Sequence, residues 1–334
     1  MKEQYVKGMV EGDSIDTVFA LRSRDLRPTR TGEAYLAMEL ADRTGRIPAV
    51  MFGPRSVDGS VPVGSAVRVR GTVTSFRGRR RISVEWLGIE LNADPTDLLA
   101  AGLRDTDELL GFFESLIGEV RHPGLRAVLD RVFGDPAFME RFSRCPAAQS
   151  HHHAHIGGLL EHTVSVAGTC QAVGQGYDAI DADLLLTAAL LHDVGKVDEL
   201  AFETAIEYTD EGRLIGHVVL GERRVAAAVA ATGAGVPRTL ALRLSHILLS
   251  HHGELEWGSP KRPCTLEALV LHHVDNLDAK IAGFLTAVTG ASGLEDRWTD
   301  ADNLFRRPLF VPRPVEDDRR RHAEEDDMYC LAAG

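Results

Sequence analysis

The 334-residue sequence predicts a multidomain chain in which a small all-β barrel is followed by an all-α domain. Three observations carry that expectation. Between residues 20 and 82 short β-rich runs recur at roughly 10-residue spacing, with turn signals between them. From about Pro95 the apolar residues shift to a helical period. The charge is split along the chain as well: residues 20 to 82 hold 13 Arg, no Lys and five acids, a net +8, which leaves −20 for the remainder of a chain totalling −12.

The runs Thr17 to Ser23, Ala34 to Ala41, Arg46 to Phe52, Ala66 to Phe76 and Arg80 to Leu87 read as five strands. Thr31-Gly32, Thr44-Gly45, Gly53-Pro54, Pro62 to Gly64 and Arg77-Gly78 punctuate them, the pattern of a small barrel or sandwich. Leu36, Met38 and Leu40 alternate with Ala37, Glu39 and Ala41, as a half-buried strand requires. The tip Ser75 to Arg81 sets Arg77, Arg79 and Arg80 beside Phe76, and Tyr35, Phe52 and Trp86 offer further aromatic faces. A positive groove with stacking platforms holds single strands without reading sequence. The plainer alternative is a solvated hairpin tip above a core containing the aromatics.

Asp94-Pro95-Thr96-Asp97 marks a boundary and a helix start. Leu98, Leu99, Leu103, Leu109, Leu110, Phe113 and Leu116 then outline helical faces, with a break at Gly134-Asp135-Pro136. The expected division is residues 1–94 for the barrel, 95–149 for linking helices, 150–290 for a helical domain rich in Ala and Leu, and 291–334 for an extension. Its segment from Glu316 to Asp327, with seven acids and three Arg, reads as a solvated tail.

The 44% hydrophobic content excludes disorder throughout. Cys145, Cys170, Cys264 and Cys330 are far apart with no C-x-x-C pair, so neither a disulfide framework nor a cysteine zinc site is indicated and a reducing cytoplasm fits best. The first 30 residues lack an apolar core of secretory length. The longest apolar stretch, Leu184 to Leu191, is too short for a bilayer, so no membrane partner is expected. The total of −12 argues against a polyanionic partner only if it is evenly spread, and the Arg-rich segment removes that objection.

Twelve of the 14 His lie between His151 and His273, embedded in apolar residues and beside carboxylates. Buried imidazoles and carboxylates are costly unless paired or bound to metal, and neutral His with Asp suits transition metals. His192-Asp193 is the most specific piece. Adjacent helical side chains point about 100° apart, so the pair can reach two different ions, with the carboxylate bridging them, if other helices bring His162, His217 and Asp275 around. A centre of that kind performs phosphohydrolase chemistry. Lys196 suits either a substrate phosphate or a helix C-terminus.

Two resemblances follow from these residues. Leu40 to Phe52 with Val67 to Val73 resembles the nucleic-acid-binding OB-fold of the anticodon-binding type. The order His162, His192-Asp193, Asp275 resembles the HD-domain phosphohydrolases, and His217 with His251-His252-Gly253 resembles their two-metal members. More narrowly, these resemble the bacterial YhaM-type 3′→5′ exoribonucleases, together with His152-His153, Gly158-Leu159, Leu191 to Lys196, Leu214 to His217, Glu256 to Lys261 and Asp275 to Lys280. That resemblance implies a nuclease for single-stranded RNA with some activity on single-stranded DNA. The implied metal is manganese or a similar divalent ion, with two ions expected. His and Asp ligands also accept Fe, Co, Zn or Ni, and Mg stays open.

Carried over, His162, His192, Asp193 and Asp275 form a first site and Asp193, His217 and His251 a second, with His252 as the alternative to His251. Catalysis falls to Asp193 and Lys196. Substrate contacts fall to His152, His153, His252, Arg77, Arg79, Arg80, Tyr35 and Phe76. His246 reads as a ligand, a phosphate contact or a packed residue, with the last two favoured, and His272 and His273 as support for the site or plain packing. Two other readings stay open: a hydrolase of small nucleotides, and a single-strand-binding regulator with an incidental metal site. A homo-oligomer is open too.

Overall fold

The structure, a computed structural model, describes residues 2–29, 32–55, 58–76, 78–99, 104–149, 154–203, 206–290 and 297–311. His152, His153, Arg77 and the acidic segment after residue 311 lie outside the described residues. The chain divides into two units, Met1–Asn276 and Leu277–Gly334.

Five strands, β1 (Ser14–Pro28), β2 (Ala34–Asp42), β3 (Gly45–Phe52), β4 (Ala66–Phe76) and β5 (Arg79–Ile89), close into a barrel of order β1-β2-β3-β5-β4. The first strand is longer than its sequence pattern suggests because it serves two neighbours. Ser14 to Ala20 pairs with β4 and Ala20 to Pro28 pairs with β2, with an irregularity in register between Leu21 and Ser23 where the strand turns the corner. Parallel pairing of Ala49 with Ile82 and of Val50 with Ser83 completes the closure. Alternate residues fill the interior, among them Phe19, Leu21, Leu36, Leu40, Ile47, Val69 and Ile82. The outward residues carry the charge.

Helices follow: α1 (Pro95–Leu98), α2 (Thr106–Glu119), α3 (Pro123–Phe133) and α4 (Pro136–Arg144). Asp105 caps α2, while His122 and Asp135 cap α3 and α4 with proline in the first turn of each. The remaining elements of the first unit begin with α5 (Gly158–Gly176), α6 (Ala182–Leu191), α7 (Lys196–Glu199) and a small hairpin, β6 (Leu200–Ala201) with β7 (Glu207–Tyr208). They end with α8 (Asp210–Leu214), α9 (His217–Ala231), α10 (Arg238–Ser250) and the start of α11 (Leu266–Gly290). Leu109, Phe113, Phe133 and Phe142 share one core with Leu160, Leu185, Leu190, Leu244 and Leu271. The 95–149 segment, read from sequence as linking helices, therefore buries its faces inside the helical domain from α2 onward.

Every residue of α6 from Leu184 to Leu191 is buried, which makes it the central helix. Its N-terminus is held by a charged knot: Glu267 accepts from the Asp181 amide at 3.1 Å and from Arg243 at 3.0 Å, and Arg243 also reaches Asp181 at 3.2 Å. The second unit packs Phe284 of α11 against Phe305, with ring centroids 5.8 Å apart, and pairs Trp298 with Phe310.

Phe113→Ala should cost about 3–5 kcal/mol by emptying a fully buried aromatic site. A single cooperative loss of the helical domain in denaturant is expected, whereas unchanged unfolding would mean that α2 to α4 stand apart. Glu267 gives a pH effect. Burial raises its pKa, but backbone amides and Arg243 outweigh that and hold it below the usual 4.5. Its contribution is thus present above about pH 4.5 and lost as pH falls further. Glu267→Gln should flatten the acid limb of a Tm-against-pH curve.

Candidate metal centre and nucleic-acid interface

The dry end of α6 delivers His192 and Asp193 into the interior, since no residue from Leu184 to Leu191 faces water. Gly195 then lets the chain pass α9 at backbone contact: a Cβ there would sit 2.1 Å from the His217 carbonyl oxygen. That approach brings His217 to Asp193. His162 arrives from α5, His251 and His252 from the end of α10, and Asp275 from α11.

Two groups of ligand atoms result. His162 Nε2 lies 3.1 Å from His192 Nε2, and Asp193 Oδ2 is 3.4 and 3.3 Å from the two. Asp275 Oδ1 is 3.3 Å from His162 Nε2 and 3.9 Å from His192 Nε2. In the second group His217 Nε2 lies 3.2 Å from His252 Nε2, while Asp193 Oδ1 is 3.5 Å from His217 Nε2 and 3.7 Å from His251 Nε2. Each Asp193 oxygen faces a different group.

For four of the five rings the far side fixes the tautomer. Nδ1 of His192, His251 and His252 lies 2.8, 2.7 and 2.9 Å from the carbonyls of Ala189, Leu248 and Trp257, and Nδ1 of His217 lies 2.9 Å from Glu199 Oε1. A nitrogen facing an oxygen acceptor carries the proton, so Nε2 presents a lone pair to the centre. His217 and His252 then oppose lone pair to lone pair, which is no hydrogen bond. Asp193 Oδ1 and His251 Nε2 are also buried without a hydrogen-bond partner. Such orphans cost about 1–3 kcal/mol each, and a cation held between them would remove the penalty. The donor set fits divalent first-row metals.

Electrostatics point the same way. Burial opposes ionisation of Asp193, but the Lys196 ammonium, 2.6 Å away, leads the neighbours that hold its carboxyl well below the usual carboxylate range. Asp275 is likewise held low against burial, chiefly by His162. Burial pushes the His251 imidazole well below its ordinary value, and burial and then His217 lower His252. Asp193 and Asp275 are held toward the charged form and His251 and His252 toward the neutral one, as ligands must be.

Several residues take positions the sequence left open. His252, assigned above to substrate contact, stands in the second ligand group beside His251. Lys196 is neither at a helix C-terminus nor aimed at solvent: it opens α7, is buried, and pairs with Asp193. His246 Nε2 accepts the Cys264 amide at 2.9 Å and His272 Nδ1 lies 2.9 Å from the His251 carbonyl, so both hold the loop after α10, while the His273 ring lies against that of His272. Glu199 escaped the sequence reading. It accepts both the amide and Nδ1 of His217, and its only signal was an acid one helical turn after Lys196.

On the barrel, Tyr35 pairs with exposed Phe52 across β2 and β3, with centroids 5.7 Å apart. Phe76 lies under the Arg81 guanidinium at 4.6 Å. Arg79 is exposed, and Arg80 reaches the Met9 carbonyl. These are aromatic faces with cations beside them.

A barrel of this topology ahead of a helical His/Asp centre defines a nucleic-acid-binding phosphohydrolase class, and the family comparisons agree. The OB-fold nucleic acid binding domain family matches residues 17–94 and the HD domain family residues 159–280. Relatives named 3′-5′ exoribonuclease YhaM align along most of the chain. The one from Geobacillus sp. is 31% identical over 91% of this chain and 96% of its own, and that from Bacillus subtilis is 31% identical over 81% and 86%. The chain belongs to the YhaM family.

Glu199→Gln should weaken metal binding about tenfold by loosening the His217 ring. Calorimetric titration of Mn²⁺ into chelator-stripped protein reads this directly, and unchanged affinity would deny Glu199 that role.

Proposed function

We propose that this chain is a 3′→5′ exoribonuclease whose barrel holds a single strand while the His/Asp centre, loaded with two divalent cations, hydrolyses the terminal phosphodiester. The observation that carries the reading is Asp193, with one oxygen turned toward each group of imidazole nitrogens. The relatives' printed name supports the polarity and the RNA substrate.

Bound cations would supply Lewis-acid stabilisation of the phosphoester oxygens and a water acidified toward neutrality. The chain's own residues do the rest. His162, His192, Asp193 and Asp275 would hold one cation, and His217, His251 and His252 with Asp193 the other. Lys196 keeps Asp193 ionised in a buried place. Glu199 and the backbone carbonyls keep Nε2 of His192, His217, His251 and His252 turned inward. On the barrel, Tyr35, Phe52 and Phe76 give base-stacking faces, and Arg79, Arg80 and their neighbours attract the backbone. Arg77 follows Phe76 in sequence, and His152 and His153 come before His162 in sequence; all three belong to the proposed substrate path. Manganese is the proposed metal. Single-stranded DNA, which offers the same phosphates and base faces, is the proposed secondary substrate. The described thiols Cys145, Cys170 and Cys264 are free, which suits the cytoplasm. Among the described residues no helix is long and apolar enough to cross a membrane.

With Mn²⁺, 5′-labelled single-stranded RNA should shorten stepwise from its 3′ end. Asp193→Asn should lower the rate by well over about 100-fold, more than loss of a residue outside the ligand shell costs, with RNA binding retained. Binding should weaken as salt rises despite the net −12, because phosphates meet the +8 segment. Inert behaviour toward RNA, with turnover of free nucleotides instead, overturns the reading.

A further inference from the structure

One stretch of the helical domain is held firmly and serves neither as ligand nor as core. After α10 the chain runs Gly253 to Pro260 and forms a single turn at Leu255–Trp257, closed by Gly258 at φ +82°. Ties fix it from several sides. Trp257 N–H donates to Glu254, Ser259 Oγ donates to the Leu249 and Lys261 carbonyls, and Glu254 pairs with Arg262 at 3.0 Å. The His252 ring donates to the Trp257 carbonyl. Gly253, at φ +80°, lies against the His272 ring, where a Cβ would come within 2.2 Å.

On this fixed turn the Trp257 indole is 56% exposed, with the His272 ring 5.9 Å away as its nearest aromatic neighbour. Tryptophan is highly buried on average, and looseness does not explain this exposure. The placement matters: Trp257 is bonded through its carbonyl to a proposed metal ligand, which sets this turn beside the second ligand group. Leu214 and Ile215, 84% and 37% exposed, come just before His217 in the chain. His217 and His252 meet at 3.2 Å. Two segments that carry exposed apolar residues thus adjoin, along the chain, the residues of the second ligand group, and a flat group with apolar faces gains from stacking on such a residue.

We propose that Trp257 stacks on the nucleobase at the 3′ end of the strand and so positions the terminal phosphodiester over the centre. This rests on the exonuclease reading and adds to it a sequence-tolerant grip at the reacting end, since every base has a π-face. Trp257 is a positioning residue in this scheme and transfers no proton.

The test uses the full chain with Mn²⁺ and two RNA pentanucleotides, one ordinary and one abasic at its 3′ nucleotide. The parent protein should show a KM about tenfold higher on the abasic substrate, the loss of one stack. Trp257→Ala should carry the raised KM on both substrates and no longer tell them apart, and Trp257→Phe should keep most of the discrimination. A purely structural role would instead lower Mn²⁺ affinity in Trp257→Ala by disturbing His252. Unchanged Mn²⁺ affinity by calorimetry is expected. Discrimination that persists in Trp257→Ala overturns the stacking while leaving the nuclease reading intact. A parent protein that leaves the ordinary pentanucleotide uncut overturns the nuclease reading and the stacking with it. Independently of turnover, a Trp86→Phe/Trp298→Phe protein retains Trp257 as its one indole. Its fluorescence should be quenched by the ordinary pentanucleotide carrying a non-hydrolysable terminal linkage, and no quenching overturns the inference.

Discussion

The helical domain depends on one buried carboxylate. Asp193 sits where α6 ends, surrounded by apolar residues, and a charge there is tolerable only with strong compensation. Lys196 supplies one counter-charge at 2.6 Å. Four imidazoles converge on its two oxygens, and each ring must be turned by something behind it. That requirement propagates outward. It places Glu199 behind His217, backbone carbonyls behind His192, His251 and His252, and a glycine at position 195 so that α7 and α9 can touch. Much of the local architecture from α5 to α11 serves to hold a few nitrogen lone pairs around that carboxylate.

The same constraint explains why four of the five imidazoles stand at helix ends, while His162 and Asp275 come from within α5 and α11. His192, His217, His251 and His252 all stand at or just beyond a terminus, where a short turn can re-aim neighbouring side chains independently. Bringing such ends together requires the long apolar packing of α6 against α5 and α10, with the Asp181–Arg243–Glu267 knot fixing the far end. The stability of the core and the geometry of the centre are therefore one problem. The barrel answers a different one: its interior is filled by alternation, and its outward residues are left to carry aromatic faces and arginines.

Much of this was legible in the sequence because the physical signals are local. Strand alternation from Leu36 to Ala41, turn residues at Thr44-Gly45, and the break at Gly134-Asp135-Pro136 each act over a few residues. The His192-Asp193 pair inside an apolar run announces chemistry, since no core keeps such groups without a partner. Less legible were features that depend on what lies across a gap. The long β1 follows from having two pairing partners. The 95–149 helices join the main core because Phe113, Phe133 and Phe142 meet it face to face, which their own periodicity cannot reveal.

By itself the sequence determined the order of a basic β-barrel and a histidine-rich helical domain, and it named the residue types able to hold metal. Only the tertiary structure decided how those residues divide. It set His252 beside His217, turned Lys196 inward onto Asp193, brought Glu199 behind an imidazole, and left Trp257 exposed on a turn tied to His252. The reason is that ligand geometry is fixed by distances of 3 to 4 Å between side chains as many as 113 positions apart, such as His162 and Asp275. Spacing along the chain constrains such distances only within one element.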